Sequence, residues 1–78
     1  MKSFKDKIRE CRGKLGLSQK ELAERSGIGY RTITSYESGQ RFPQPAQLYK
    51  LAKALGVSTD YLRDDSIEDP AYGLDRME

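Results

Sequence analysis

The 78-residue sequence has no histidine, no tryptophan and only one cysteine. Without histidine and with a single thiol it lacks the usual zinc ligand sets, so we expect no metal or other cofactor. Cys11 cannot form an internal disulfide, and no histidine is present to activate it as a nucleophile. We therefore interpret Cys11 as a small core residue. Because a glycine-rich phosphate loop is also missing, we expect no enzymatic activity.

Long apolar runs are missing as well. No stretch approaches the roughly 20 apolar residues of a membrane span, and the N-terminal MKSFKDKIRE lacks the apolar segment of a signal peptide. Internal repeats are not visible. We expect one small cytoplasmic domain, close to the lower size at which a single hydrophobic core suffices.

The charge is unevenly distributed along the chain. Residues 1–63 carry thirteen Lys or Arg against six Asp or Glu, a net charge of +7, whereas residues 64–78 carry one Arg against six acids, a net charge of −5. The first part is basic enough to lie against a polyanion, and the second repels one. We predict a folded domain over residues 1–63 and an acidic tail over residues 64–78, either disordered or in contact with a dimer mate or another protein.

Apolar spacing and capping residues predict an all-α fold of five helices. The predicted helices run from a Ser3 cap to about Leu15, from Gln19 to Ser26, from Tyr30 to Ser38, from Pro45 to Leu55 and from Thr59 to about Arg63.

The stretch from Gln19 to Ser38 contains two short helices joined by a glycine turn. Ser18 and Glu21 have the spacing of a capping box, and Gly27 lies where the chain must turn sharply. Ala23 leaves room for a close helix crossing, and Ile33 belongs to the inward stripe of the second helix. The outward side of that helix carries hydrogen-bonding side chains, namely Tyr30, Arg31, Thr34 and Ser35.

The spacing of Gln19, Ala23, Gly27, Ile33 and Tyr36 resembles the helix-turn-helix of the Cro and lambda-repressor-like (XRE-like) family. The segments ESGQRFP and LAKALGVSTDYL are similar to the loop after the recognition helix and to the last two helices of that family. The resemblance covers roughly Phe4 to Leu62. It implies a compact five-helix domain that binds double-stranded DNA and regulates transcription, most simply as a repressor.

The resemblance places base-reading positions at Tyr30, Arg31 and Ser35, with Thr34 as an additional candidate. Arg31 can pair bidentately with guanine in the major groove, or it can clamp a phosphate or remain solvated. Tyr30 can contact a thymine methyl group or a phosphate, or it can pack on the neighbouring helix. Thr34 and Ser35 reach a base only if the helix inserts closely. Gly29 is a departure, since the family more often has Ser or Thr at this N-cap.

Four further side chains are candidate phosphate contacts. Ser18 and Gln19 open the second helix, whose N-terminal amides favour an anion, and Gln40 and Arg41 follow the recognition helix. Arg12 and Glu37 occupy positions that the family commonly pairs. A partly buried pair would fix the first helix against the third, whereas an exposed pair would contribute little.

One small domain presents one recognition helix, so useful specificity favours a homodimer on a two-fold symmetric operator, with half-sites about 34 Å apart. Relatives often form the dimer contacts with the fourth and fifth helices, here around residues 55–62. The alternative is an antitoxin or other protein-interaction module whose tail, residues 64–78, binds a protein partner.

Overall fold

The computed structural model describes residues 2–72. The helices in this range are α1 (Phe4–Lys14), α2 (Gln19–Ser26), α3 (Tyr30–Ser38), α4 (Pro45–Leu55) and α5 (Thr59–Arg63). These bounds agree with the prediction to within one residue, and the all-α fold class is confirmed, because no strand occurs between residues 2 and 72. None of these helices has the length and apolar character needed to cross a membrane.

The predicted capping box begins α2. The Glu21 amide donates to Ser18 Oγ at 3.1 Å, and the Ser18 amide donates to Glu21 Oε1 at 2.8 Å. The hydrogen bond from the Ser18 amide, followed by a contribution from the Ser18 hydroxyl, lowers the pKa of the Glu21 carboxyl. At α1 the prediction is wrong in one respect. Ser3 occupies the N-cap position, but its hydroxyl donates to Asp6 Oδ2 at 3.0 Å and does not cap a helix amide.

The turn between α2 and α3 depends on glycine. Gly27 adopts a left-handed conformation with φ of 74°, which is favourable only for a residue without a side chain. The amides of Gly27 and Ile28 both donate to the Ala23 carbonyl, at 2.9 and 3.2 Å. Ile28 is then buried beneath the turn. This short connection fixes the direction in which α3 leaves α2.

One hydrophobic core joins all five helices. Its members come from α1 (Phe4, Ile8 and Cys11), α2 (Leu22 and Ala23), the turn (Ile28), α3 (Ile33 and Tyr36), α4 (Leu48, Leu51, Ala52 and Leu55), Val57, and α5 (Tyr61 and Leu62). The predicted inward residues of α2 and α3 are therefore buried. Burial also raises the pKa of the Cys11 thiol, consistent with a core role for this residue.

Lys7 is buried, although lysine side chains ordinarily lie at the surface. Only 1% of the residue is exposed. Its Nζ donates to the backbone carbonyls of Tyr61 at 2.5 Å, Asp64 at 2.9 Å and Ile67 at 2.8 Å, and it lies 4.2 Å from the centroid of the Tyr61 ring. Three carbonyls thus use all three donors of the ammonium group.

The acidic segment therefore begins packed against the domain. Ile67 is half-buried against the core, and the carbonyls of Asp64 and Ile67 are held by Lys7. The part of the tail prediction that concerns residues 73–78 lies outside the described residues.

Candidate nucleic-acid interface

The outward side of α3 carries the four predicted base-reading residues. Tyr30 and Arg31 are exposed, and Thr34 and Ser35 are half-buried. On the opposite side of the helix, Ile33 and the buried Tyr36 anchor α3 in the core. A helix of nine residues is about 13 Å long, short enough to enter a major groove along most of its length.

The hydroxyl groups of α3 bond back to their own helix. Thr34 Oγ1 and Ser35 Oγ both donate to the Arg31 carbonyl, at 2.7 and 3.0 Å. Because each hydroxyl proton is used in this way, the oxygen lone pairs are the groups left to face outward. In this state the two side chains are suited to accept hydrogen bonds, for example from an exocyclic base amine.

Tyr30 lies near the neighbouring helix but is still accessible. Its side chain is 44% exposed, and Lys20 Nζ of α2 is 5.9 Å from the ring centroid. The two alternatives of the sequence analysis are therefore compatible, since one face of the ring can lie toward Lys20 of α2 while the exposed part of the side chain remains free to contact a ligand.

Arg12 and Glu37 form an ion pair that joins α1 to α3. Arg12 Nε and Nη2 donate to the two carboxylate oxygens of Glu37 at 2.8 and 2.9 Å. The side chain of Glu37 is 3% exposed and that of Arg12 is 22% exposed. The hydrogen bonds to Glu37 raise the pKa of the Arg12 guanidinium. Arg12 Nη1 also donates to the Leu17 carbonyl at 3.0 Å, so the pair also holds the connection between α1 and α2.

Gln19 is the third member of this group. Its Nε2 donates to Glu37 Oε1 at 3.3 Å, which places the first residue of α2 beside the last turn of α3. The contact uses one of the two amide protons of Gln19, so the other proton and the side-chain carbonyl remain available. Ser18, which precedes it, is occupied in the capping box but is exposed.

The loop after α3 is attached to the same end of the helix. The amides of Gln40 and Arg41 donate to the Ser35 carbonyl at 3.0 and 3.3 Å, and both side chains are exposed. Gln19, Gln40 and Arg41 therefore flank the C-terminal half of α3. The structure brings these predicted residues to one end of the helix that carries the predicted base readers.

Two features of this region were missed by the sequence analysis. The Lys5 side chain crosses Gly39, with its Cδ 3.2 Å from the position that a Cβ would occupy there. Phe42 packs on Phe4 with ring centroids 4.7 Å apart and is 55% exposed. A contact between the start of α1 and the end of α3 has no local sequence signal, since 34 residues separate Lys5 from Gly39.

Comparison with protein-family models assigns residues 8–62 to a helix-turn-helix family. The match covers more than half of the chain and includes α2, the turn and α3. The chain belongs to the XRE-like helix-turn-helix family. The resemblance identified from the sequence is confirmed.

Helix-turn-helix relatives are similar over most of this chain. The transcriptional regulator ImmR of Bacillus subtilis is 42% identical over 60 residues, which are 77% of this chain and 47% of ImmR. The phage CTXphi transcriptional repressor RstR of Vibrio cholerae is 40% identical over 63 residues, 81% of this chain and 57% of RstR. The chain thus spans about half the length of these relatives.

A solved helix-turn-helix structure has the same fold. The P22 c2 repressor, crystallised with a synthetic operator, superposes with a TM-score of 0.78 and 31% identity, covering 82% of this chain and 97% of the repressor chain. The helix-turn-helix of this chain is therefore set in the same arrangement of helices.

Proposed function

We propose that this helix-turn-helix chain is a sequence-specific double-stranded DNA-binding transcriptional regulator, most simply a repressor. The observation that carries the proposal is the outward side of α3, where Tyr30, Arg31, Thr34 and Ser35 are accessible on a helix anchored from below. The names of ImmR and RstR and the operator complex of the P22 c2 repressor support it.

In this proposal α3 reads bases in the major groove. Arg31 pairs with the O6 and N7 of a guanine, a contact worth about 1–3 kcal/mol in discrimination. Thr34 and Ser35, whose hydroxyl protons are used within the helix, accept hydrogen bonds from base amines. Tyr30 contacts a thymine methyl group or the adjacent backbone.

Phosphate contacts beside the C-terminal half of α3 set its register. Ser18 and Gln19 contact the phosphates of one strand at the N-terminus of α2. Gln40 and Arg41 contact phosphates from the loop after α3. The bonds that join Gln19 to Glu37 and the loop amides to Ser35 hold these groups in a fixed position relative to α3. Such contacts add affinity and orientation without sequence information.

Two copies of the chain on a two-fold symmetric operator complete the proposal. One short helix reads only a few base pairs, so a homodimer with half-sites about one helical turn apart supplies the required specificity. The accessible positions within residues 55–62, namely Gly56, Thr59 and Asp60, and the acidic segment are the proposed dimer contacts.

Selection of bound duplexes from a random pool tests this function. We expect an enriched half-site that contains at least one guanine, repeated with two-fold symmetry. Arg31→Ala should flatten the preference at one or two positions while leaving the circular dichroism spectrum unchanged. A pool that shows no enrichment at low ionic strength would contradict the proposal, and an unchanged preference in Arg31→Ala would reject Arg31 as a reader.

A further inference from the structure

A basic hollow lies beside the C-terminal end of α3, just beyond the base-reading residues. Its volume is about 420 Å³, and it lies where the start of α1, the loop after α3 and the end of α5 meet. Three cations from these three elements line it, namely Lys5, Arg41 and Arg63, together with one acid, Asp65. The exposed ring of Phe42 forms part of its wall.

The cations of this hollow are accessible to a ligand. Lys5, Arg41 and Arg63 are all exposed. Within residues 2–72, neither Lys5 nor Arg41 pairs with an acid, and Arg63 pairs with the exposed Asp60 through one guanidinium nitrogen. Asp65 in the lining and Asp60 beside Arg63 offset two of the three cations, so the hollow keeps a net positive charge of about one.

The Lys5 side chain lies against the end of α3. Its aliphatic chain crosses Gly39, and its Nζ lies 3.9 Å from the position that a Cβ would take at Gly39. Gly39 caps the C-terminus of α3, and the Arg41 amide donates to Ser35 in the same turn. The ammonium group and the guanidinium of Arg41 thus extend the proposed phosphate-binding loop toward α1.

We propose that Lys5, Arg41 and Arg63 form a phosphate-binding site that holds the DNA backbone beyond the recognition helix, and that Asp65 weakens it. The inference rests on the proposed function and deepens it. Lys5 and Arg63 would then contact the DNA backbone from outside the helix-turn-helix, and the negative charge of Asp65 would reduce the affinity for every duplex regardless of sequence. The ring of Phe42 is placed to pack against a deoxyribose next to the bound phosphate.

Lys5 has a structural alternative. A cation near the C-terminus of a helix is stabilised by the helix dipole, so Lys5 could serve only to complement the end of α3. That role affects the stability of the fold. A phosphate contact instead affects the salt dependence of duplex binding, because each one releases counterions.

Duplex titrations of the full chain by fluorescence anisotropy, at about 50 and 200 mM salt, separate these roles. Each phosphate contact contributes about 0.9 to the slope of log affinity against log salt. For Lys5→Gln, the ratio of wild-type to variant affinity should therefore be about threefold larger at the lower salt concentration. The matched control is Lys53→Gln, which removes an exposed lysine of α4 outside the hollow.

Asp65 supplies a test of opposite sign. Asp65→Asn should tighten binding to every duplex about twofold at low salt, since a like charge beside the phosphate is removed. Glu68→Gln, in the same segment but outside the hollow, serves as its control and should have a smaller effect. Inorganic phosphate is titrated in parallel, with the amide shifts of residues 39–42 and 63–65 followed by NMR.

The outcomes distinguish the two proposals. If the wild-type chain binds no duplex, both the proposed function and this inference fail. If the wild type binds but Lys5→Gln has the salt dependence of Lys53→Gln, or Asp65→Asn does not tighten binding, only this inference is overturned. If Lys5→Gln lowers the melting temperature but leaves the salt dependence of duplex binding unchanged, Lys5 only stabilises the C-terminus of α3. If inorganic phosphate shifts these amide resonances while none of the substitutions changes duplex binding, the assignment to the DNA backbone is overturned.

Discussion

Glu37 is the buried acid whose removal tests how α3 is held. Its carboxylate accepts three hydrogen bonds, two from Arg12 and one from Gln19, and its side chain is almost fully buried. Glu37→Ala would leave the Arg12 guanidinium without its partner in a poorly solvated position. Breaking a buried pair in this way costs about 3–5 kcal/mol, and the partial exposure of Arg12 favours the lower end, about 3 kcal/mol.

A loss of this size is large for so small a domain. Domains have a free energy of unfolding of roughly 0.05–0.15 kcal/mol per residue, so a chain of 78 residues has about 4–12 kcal/mol in total. A loss of about 3 kcal/mol should lower the melting temperature by about 12–24 °C. Urea unfolding followed by circular dichroism gives the free energy directly, and Glu10→Ala, which removes an acid of the more exposed ion pairs of α1, should lose much less.

A double-mutant cycle isolates the pair itself. Arg12→Ala and Glu37→Ala together should cost clearly less than the sum of the single variants, because the second substitution removes the stranded partner. We expect a coupling energy of about 2 kcal/mol. A coupling below about 0.5 kcal/mol would refute the reasoning, since the ion pair would then contribute nothing to holding α1 against α3.

Three further predictions concern the loop, the glycines and Lys7. Arg41→Ala should weaken binding to all duplexes alike and reduce the slope of log affinity against log salt by about 0.9, measured by anisotropy. A loss of affinity confined to the preferred operator would reject the phosphate assignment. In urea unfolding, Gly13→Ala in helix α1 should raise the free energy of unfolding by about 0.5–1 kcal/mol. Gly27→Ala, at a residue with positive φ, should lower it by about 1 kcal/mol. Lys7→Met should lower the free energy of unfolding by about 2–4 kcal/mol and speed hydrogen exchange of the backbone amides that follow α5. Unchanged exchange would contradict the role of Lys7 in holding this segment.

Local patterns predict most of this fold, because the deciding interactions are close in sequence. The Ser18–Glu21 capping box, the left-handed Gly27 and the inward position of Ile33 each depend on residues within one or two helical turns. Apolar spacing then assigns the inward side of α3, and what remains is its outward side. Elimination therefore identifies the outward residues, the family resemblance assigns base reading to them, and their contacts with DNA stay predictions.

Contacts between distant residues explain what the sequence analysis missed. A lysine one position from the apolar Ile8 is expected to reach solvent, yet Lys7 is buried because α5 and the following segment turn their carbonyls toward it. The Ser3 error is local instead, because its hydroxyl donates to Asp6 and accepts no helix amide. The approach of Lys5 to Gly39 depends on the packing of α1 against α3, which no short pattern encodes.

Protection of guanine N7 from dimethyl sulfate tests most directly whether α3 reads the major groove. The reagent methylates N7 in the major groove and adenine N3 in the minor groove, so the two grooves are compared on one duplex. The wild-type chain should protect a guanine in each half-site, and Arg31→Ala should lose that protection while still binding at low salt. Protection restricted to minor-groove positions, or guanine protection unchanged by Arg31→Ala, would contradict the account.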